Sequence, residues 1–243
     1  MSVQRPDPEH DAAELRQATE RLIDAVSVLP PTSLAEPSRL AGWTRGHVLT
    51  HLSRNADSLV NLLIWARTGE EVAQYASGES RDRDIEAGAG RPLAEQLDDL
   101  RISTARLATA IEETPPQCWA SQVVMRSGHV IAAAEIPYAR LMEIYFHHVD
   151  LGIGYTCEHF PVPFSVRELA AVIDDLSGRE GVAAVRLHDT DSGEKWVIGA
   201  ALEPDLTVSG ARHALLAWVT GRSGGEDLSV QPDVPLPVLP PLG

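Results

Sequence analysis

The sequence is poor in lysine and in cysteine. Lys195 is the only lysine among 20 basic residues, which argues against catalysis through a lysine Schiff base. Cys118 and Cys157 are the only cysteines. Two cysteines are too few for a disulfide framework, so we expect a protein of the reducing cytoplasm. The first residues form no apolar segment of the secretory type, which agrees with that expectation.

Long apolar runs are absent as well. The longest, Leu59 to Ala66, is interrupted by Asn61 and falls far short of the ~20 residues that a membrane-spanning helix needs. We therefore expect no membrane partner. The 35 acidic and 20 basic residues give a formal net charge of −15. A field of that sign repels phosphate backbones, so we expect no nucleic-acid partner either.

The first 150 residues carry four helical patterns of apolar residues. The predicted helices run from Pro8 to Leu29, from Thr44 to Gly69, from Pro92 to Pro115 and from about Ala134 to Val149. Residues 69–92 are polar and rich in glycine, which predicts a long loop. Two short runs, 122–125 and 129–132, predict a β-hairpin. Four helices in such a segment indicate a helix bundle.

The pattern changes after Gly152. Residues 160–164 contain two prolines and predict a linker. The predicted elements that follow are helices at 165–176 and 211–220, strands at 182–187, 195–198, 206–208 and 228–230, and an extended proline-rich tail. We therefore expect two domains, a helical one at 1–155 and a small α+β one at 156–243.

The sequence contains no G-x-G-x-x-G, no P-loop and no C-x-x-C, which leaves histidines, carboxylates and arginines as candidates for chemistry. His47 and His51 lie four residues apart on the second predicted helix, and Glu143 and His147 lie four apart on the fourth. Residues at this spacing share a helix face and can bind one metal ion. One histidine from the second helix would complete a site of two histidines and one carboxylate. Spacing alone does not choose between His47 and His51.

Apolar residues surround Glu143 and His147, so a carboxylate buried there needs a partner. A metal ion is one such partner; an ion pair with Arg140 or a hydrogen-bonded histidine is another. His148 lies about 100° around the helix from His147, so we do not expect both to bind one ion. Asp150 either holds a ligand histidine in place or simply ends the helix.

Arg222 follows Gly221 at the end of a predicted helix. It is either a surface arginine favoured by the helix dipole or a bidentate partner for a substrate carboxylate. Arg81 and Arg83, in the polar segment 69–92, are weaker candidates for a cationic patch that counters the negative net charge.

Four stretches resemble the mycothiol-dependent maleylpyruvate isomerase family, and they occur in the family's order. They are LAGWTRGHVLTHLSRNAD (40–57), WARTGEEVAQYASGESRDRDIEAGAG (65–90), ARLMEIYFHHVDLGIG (139–154) and LTVSGARHALLAWVTGRSG (206–224). The resemblance implies an α-helical N-terminal domain, a DinB-like four-helix bundle. It also implies a small α+β C-terminal domain that resembles a sterol-carrier fold.

The resemblance further implies a divalent metal ion, expected to be Zn²⁺, bound by His51, Glu143 and His147. It thereby selects His51 over His47. It implies Arg222 as the catalytic arginine and mycothiol as the thiol cosubstrate, without assigning the residues that contact mycothiol.

The implied reaction converts maleylpyruvate to fumarylpyruvate, a step of gentisate degradation. A thiolate adds to the double bond, the resulting single bond rotates, and elimination restores a trans double bond. Two alternatives remain: a mycothiol S-transferase that conjugates the thiol to another electrophile, and a non-catalytic metal- or ligand-binding module. We expect a small anionic or electrophilic substrate, and a monomer or weak homo-oligomer.

Overall fold

A computed structural model describes residues 6–240 of the chain. The chain falls into two units, Met1–Gly154 and Tyr155–Gly243. The sequence-based limits, 1–155 and 156–243, differ from this division by one residue. Among residues 6–240 there is no helix long and apolar enough to span a bilayer.

The first unit is helical, as predicted. Its described α-helices are α1 (Pro8–Ser27), α2 (Arg45–Thr68), α3 (Gly78–Ala89), α4 (Leu93–Glu112) and α5 (Ile136–Asp150). The prediction for α2 is confirmed at both ends, because the Thr44 side chain caps its first turn and Gly69 ends it. The fourth predicted helix begins two residues late, since a short 3-10 turn precedes α5.

The apolar stripes of the four long helices meet in one core. Helix α2 packs against α4, and α1 packs against α5. Leu22, Leu52 and Leu100 are completely buried at these contacts. Each buried leucine contributes about 2 kcal/mol to stability, so these stripes fix α2 and α5, the two helices that carry the predicted ligands.

The prediction of a loop over residues 69–92 is wrong, because α3 occupies half of that segment. Ile85 is its only large buried apolar side chain, so the helix shows no apolar stripe. Reciprocal hydrogen bonds between Ser77 and Ser80 cap its start.

Helix α3 also lies unusually close to α2. A Cβ atom at Gly46 of α2 would overlap the carbonyl oxygen of Ala89, and a Cβ atom at Gly88 would overlap the side chain of Thr50. Glycine at both positions therefore allows the two backbones to approach, which positions α3 beside the first turns of α2.

The predicted hairpin is confirmed. Strands β1 (Gln122–Val124) and β2 (Val130–Ala132) pair antiparallel, with Val123 opposite Ile131. The hairpin leads into α5 through the 3-10 turn Ala133–Glu135.

The second unit combines two helices with one sheet, as predicted for a small α+β domain. Its elements are α6 (Val162–Leu176), β3 (Val185–Asp189), β4 (Lys195–Ile198), β5 (Thr207–Gly210), α7 (Arg212–Val219) and β6 (Ser229–Gln231). The strand order is β4-β3-β5-β6; β3 and β5 are parallel and the outer pairs are antiparallel.

Two expectations for this unit are wrong. Residues 160–164 are not a linker, because α6 begins at Val162; Pro161 is its N-cap and Pro163 lies in its first turn. Proline is compatible with those positions because the first amides of a helix have no intrahelical partner. Strand β3 begins three residues later than the predicted 182–187. Residues 232–240 contain no helix or strand, in agreement with the predicted extended tail.

Candidate metal centre

The first turn of α2 explains why its two histidines differ. The Nδ1 atom of His47 lies 3.2 Å from the backbone nitrogen of Thr44 and 2.7 Å from its hydroxyl, which completes a reciprocal cap. Its Nε2 lies 3.1 Å from a carboxylate oxygen of Glu86 on α3. Both ring nitrogens of His47 therefore have partners outside the predicted ligand set.

His51, one turn later, faces α5. Its side chain is buried, and Nε2 lies 3.0 Å from Oε2 of Glu143. On α5, Nε2 of His147 lies 3.0 Å from the same oxygen. The candidate ligand atoms of His51, Glu143 and His147 all lie within 4.8 Å of one another. Within residues 6–240, no other group of three such side chains is arranged to hold a metal ion.

The two imidazole rings of the cluster are arranged edge to face. The rings of His51 and His147 are nearly perpendicular, with centroids 4.7 Å apart. The Trp43 ring lies 5.6 Å from the His51 ring and limits its rotation on one side. Two imidazoles and one carboxylate whose ligand atoms lie this close together form a donor set suited to zinc and similar divalent ions.

The electrostatics of the cluster favour a cation. Burial alone would raise the pKa of Glu143, but hydrogen bonds to His147 and His51 outweigh it and hold that pKa well below its usual value. Burial lowers the pKa of His51 below its usual value, despite the contact with Glu143. Glu143 is therefore ionised at neutral pH. Of the two imidazoles that face it, the ring of His51 is the one that is readily neutral.

Asp150 supports the cluster from behind. Its buried carboxylate contacts Nδ1 of His147 at 2.9 Å. Burial would lower the pKa of His147, but the hydrogen bonds to Asp150 and Glu143 raise it above its usual value. Of the two roles considered for Asp150, the structure thus shows the contact required of a residue that orients a ligand histidine.

Helix α3 brings Arg81 to the cluster. Its Nη2 lies 3.3 Å from Nδ1 of His51, and its guanidinium lies about 6 Å from the ring centroids of Trp43 and Tyr75. A guanidinium only donates, so Nδ1 of His51 accepts and Nε2 carries the proton that is donated to Glu143. The spacing of residues in the sequence did not predict this contact. The positive charge of Arg81 in the polar segment 69–92 was the only indication that it could belong to a functional site.

Three further candidate residues are not among the clustered side chains. Arg83 is exposed on α3, and His148 is buried on a different side of α5. Arg222 lies in the second unit, half-buried just after α7. Its Nη1 donates to the carbonyl of Thr220 at 3.1 Å, and Gly221 between them has φ +72°. A side chain at Gly221 would strain this turn, so glycine allows the sharp exit that places Arg222.

Comparison with known proteins agrees with this arrangement. Residues 15–152 match the family described as mycothiol maleylpyruvate isomerase N-terminal domain. The crystal structure of the mycothiol-dependent maleylpyruvate isomerase is similar to this chain, with a TM-score of 0.89, 28% identity and 97% of both chains covered. The structure of a histidine-to-alanine mutant of that enzyme gives a TM-score of 0.90 at 26% identity, with the same coverage.

The chain is also similar to two sequence relatives and to a further solved structure. Uncharacterized proteins from two strains of Mycobacterium tuberculosis are 30% identical over 239 residues, covering 92% of this chain and 90% of theirs. YfiT from Bacillus subtilis, with an unusual four-helix bundle topology, shares the helical fold alone at a TM-score of 0.50 and 19% identity; 62% of this chain and 87% of YfiT are covered. The family match covers more than half of the chain and includes all three clustered side chains. This chain therefore belongs to the mycothiol maleylpyruvate isomerase family.

Proposed function

We propose that this protein is a mycothiol-dependent cis–trans isomerase that converts maleylpyruvate to fumarylpyruvate. The observation that carries the proposal is the convergence of His51, Glu143 and His147 within 4.8 Å in a chain of this family. These residues fit a divalent ion, because they offer two imidazoles and an ionised carboxylate at one point.

A Zn²⁺ ion held by these three side chains would lower the pKa of a thiol and keep it as a thiolate at neutral pH. The clustered residues include neither Cys118 nor Cys157, so the thiol would come from a small cosubstrate, for which we propose mycothiol. Reversible addition of that thiol turns the cis double bond into a single bond that rotates before elimination.

The chain's own residues would position and polarise the reactants. Asp150 holds His147 in one orientation through the contact with Nδ1. Arg81 places a fixed positive charge beside His51, where it can attract the carboxylates of an anionic substrate. Arg222 is proposed as the catalytic arginine that pairs with a substrate carboxylate or with the developing enolate.

The deciding experiment is an assay of the zinc-loaded protein with maleylpyruvate, in the presence and absence of mycothiol. We expect fumarylpyruvate to form only with mycothiol, and mycothiol to be recovered unchanged. Glutathione or cysteine should support little turnover, because orientation of the thiol needs contacts to the sugar portion of mycothiol.

The same assay separates the alternatives. Accumulation of a stable mycothiol conjugate would identify an S-transferase and exclude the isomerase. Absence of any thiol-dependent reaction, with maleylpyruvate and with a panel of electrophiles, would favour a non-catalytic metal-binding module.

A further inference from the structure

Arg140 of α5 is a buried charge one helical turn from the candidate metal centre. It precedes Glu143 by three residues, and only 1% of its surface is exposed. Its Nη1 donates to Oδ1 of Asn55 at 2.8 Å, and Asn55 follows His51 by four residues on α2. The contact between Arg140 and Asn55 therefore forms a second layer next to the ligand cluster, about 5 Å further along the helix axes.

No carboxylate pairs directly with this guanidinium. Within residues 6–240, Arg140 forms no ion pair, so the direct contact with Glu143 that the sequence left open is not made. The Nη2 atom is buried and has no hydrogen-bond partner, and no ligand can reach an atom so enclosed. The charge of Arg140 therefore acts on its surroundings through space rather than by holding a ligand.

Arg140 keeps that charge at neutral pH. Burial lowers the pKa of its guanidinium to about 10, while the charges of Glu143, Tyr75 and Asp57 act in the opposite direction. The effect of Glu143 is the largest of these three. Asp57 is already engaged elsewhere, because Arg106 donates to its carboxylate at 2.8 Å. The buried charge is thus coupled most strongly to a residue of the metal centre.

Packing alone does not account for an arginine at this position. A buried charge with one hydrogen bond is costly. Methionine would fill a similar space without that cost, and replacing buried charges by apolar side chains is often neutral or stabilising. What an apolar side chain cannot supply is a positive potential at the neighbouring cluster of His51, Glu143 and His147.

We infer that Arg140 tunes the metal centre through its positive charge, so that the centre binds its metal less tightly and an anion at that metal more tightly. The inference rests on the metal site of the proposed function and deepens it, since a thiolate and a substrate carboxylate are both anions. Glu143 offsets one charge of a divalent ion, and Arg140 adds one back. Arg81 increases this positive excess and Asp150 reduces it.

Cobalt(II) is a suitable probe metal, because its visible absorption reports the ligands bound to it. The full chain is loaded with Co²⁺ and titrated with azide, which is an anion. It is also titrated with imidazole at pH 8, where imidazole is largely uncharged. Competition with a chromophoric chelator measures the affinity for Co²⁺ itself. None of these measurements requires turnover.

Arg140→Met should bind azide about tenfold more weakly and Co²⁺ about tenfold more tightly than the original chain, with imidazole binding unchanged within twofold. Tenfold corresponds to about 1.4 kcal/mol, which one charge can exert at this separation. Asn55→Asp places a carboxylate against Arg140 and should shift both affinities in the same directions. Arg21→Met is the control, because Arg21 is exposed and contacts α5 only through the hydroxyl of Tyr145. It should change neither affinity beyond twofold.

Unchanged azide and Co²⁺ affinities in a folded Arg140→Met protein would overturn the inference. If that variant does not fold, unchanged affinities in Asn55→Asp would do so. Equal losses of azide and imidazole binding would also overturn it, because they would indicate displaced ligands rather than a lost charge. Absence of Co²⁺ binding that depends on His51 would overturn the metal site together with this inference. If the affinities shift as expected and maleylpyruvate is not isomerised, the proposed reaction fails and the role of Arg140 stands.

Discussion

Nδ1 of His147 lies 2.9 Å from a carboxylate oxygen of Asp150, three residues further along the same helix. The carboxylate is 1% exposed, so this contact fixes the imidazole from behind and leaves Nε2 facing Glu143. The last turn of α5 therefore sets both the position and the tautomer of a proposed ligand.

Replacing Asp150 by asparagine should weaken zinc binding roughly 10–100-fold. A neutral amide orients the ring of His147 less firmly than a carboxylate does, and it raises the basicity of that ring less. Competition with a fluorescent zinc chelator measures the affinity. Asp24→Asn, at an exposed carboxylate on α1, is the control and should bind zinc normally. An unchanged affinity in Asp150→Asn would show that the contact is not needed.

The two histidines of α2 form a matched pair of variants. His51→Ala should reduce zinc affinity by more than about 100-fold and abolish turnover, since it removes one of the three proposed ligands. His47→Ala should keep zinc and cost roughly 0.5–1 kcal/mol of stability, because it removes the capping contact with Thr44 and the contact with the exposed Glu86. Elemental analysis and denaturant unfolding measure the two effects. Loss of zinc in His47→Ala would refute the ligand assignment.

Arg81→Gln should raise the affinity for zinc. It should also lower turnover, because the positive charge that can attract an anionic substrate is lost. A zinc ion held at Nε2 of His51 would leave the ring proton on Nδ1, which faces the donor group of Arg81. Removing that donor and its positive charge favours the cation by about 1.4 kcal/mol, roughly tenfold. Arg83→Gln, exposed on the same helix, is the control. A fall in zinc affinity would contradict this electrostatic role.

Arg222→Ala should lower the turnover number about 100-fold, equivalent to about 3 kcal/mol, with zinc content retained. The reason is that a charge-assisted contact strengthens as enolate charge develops. Arg222→Lys should recover little activity, because an ammonium lacks the planar fork. Steady-state kinetics beside metal analysis provide the readout. Near-normal turnover would show that Arg222 is not the catalytic arginine.

Acid should destabilise the protein through Asp189, at the end of β3. Its buried carboxylate accepts hydrogen bonds from Ser192, the Asp191 amide and Arg212. Burial would raise its pKa, but these bonds outweigh it and lower the pKa below the usual 3.8. The contribution of this carboxylate to the free energy of unfolding is therefore complete above its unfolded-state pKa. It is lost as pH falls through the lower folded-state pKa.

Asp189→Asn should remove this acid-sensitive contribution and cost about 3 kcal/mol at neutral pH, since Arg212 loses its buried partner. Urea unfolding between pH 2.5 and 6, followed by tryptophan fluorescence, measures both effects. Asp175→Asn, at a carboxylate 56% exposed, should retain the pH dependence of the original chain. If the free energy of unfolding of Asp189→Asn fell as steeply with pH as that of the original chain, Asp189 would not be the source of the acid sensitivity.

Much of the helical unit was predictable because its signals are local. Apolar residues at helical spacing mark α1, α2 and α4, and Thr44 and Gly69 mark both ends of α2. The i, i+4 spacing of Glu143 and His147 on α5 placed two of the clustered side chains together. Spacing could not separate His47 from His51, because the difference depends on Glu86 and Glu143, which reach α2 from other helices.

The missed features depend on contacts between distant segments. Helix α3 has almost no apolar stripe, and its contact with α2 depends on two small residues far apart in sequence. The start of α6 was missed because Pro161 and Pro163 suggested a linker, although proline is compatible with a first turn. The approach of Arg81 to His51 follows from the placement of α3, and no pattern in the sequence predicts it.

The closeness of α2 and α3 at Gly46 and Gly88 has a consequence for how this scaffold can diversify. Because neither glycine leaves room for a side chain, the helix that carries Arg81 cannot shift toward α2 without steric overlap. A change of substrate would therefore arise from exchanging side chains along α3 and at Tyr75, on a backbone that stays in place. Alanine at Gly46 or Gly88 should be selected against even in relatives that have lost the original substrate.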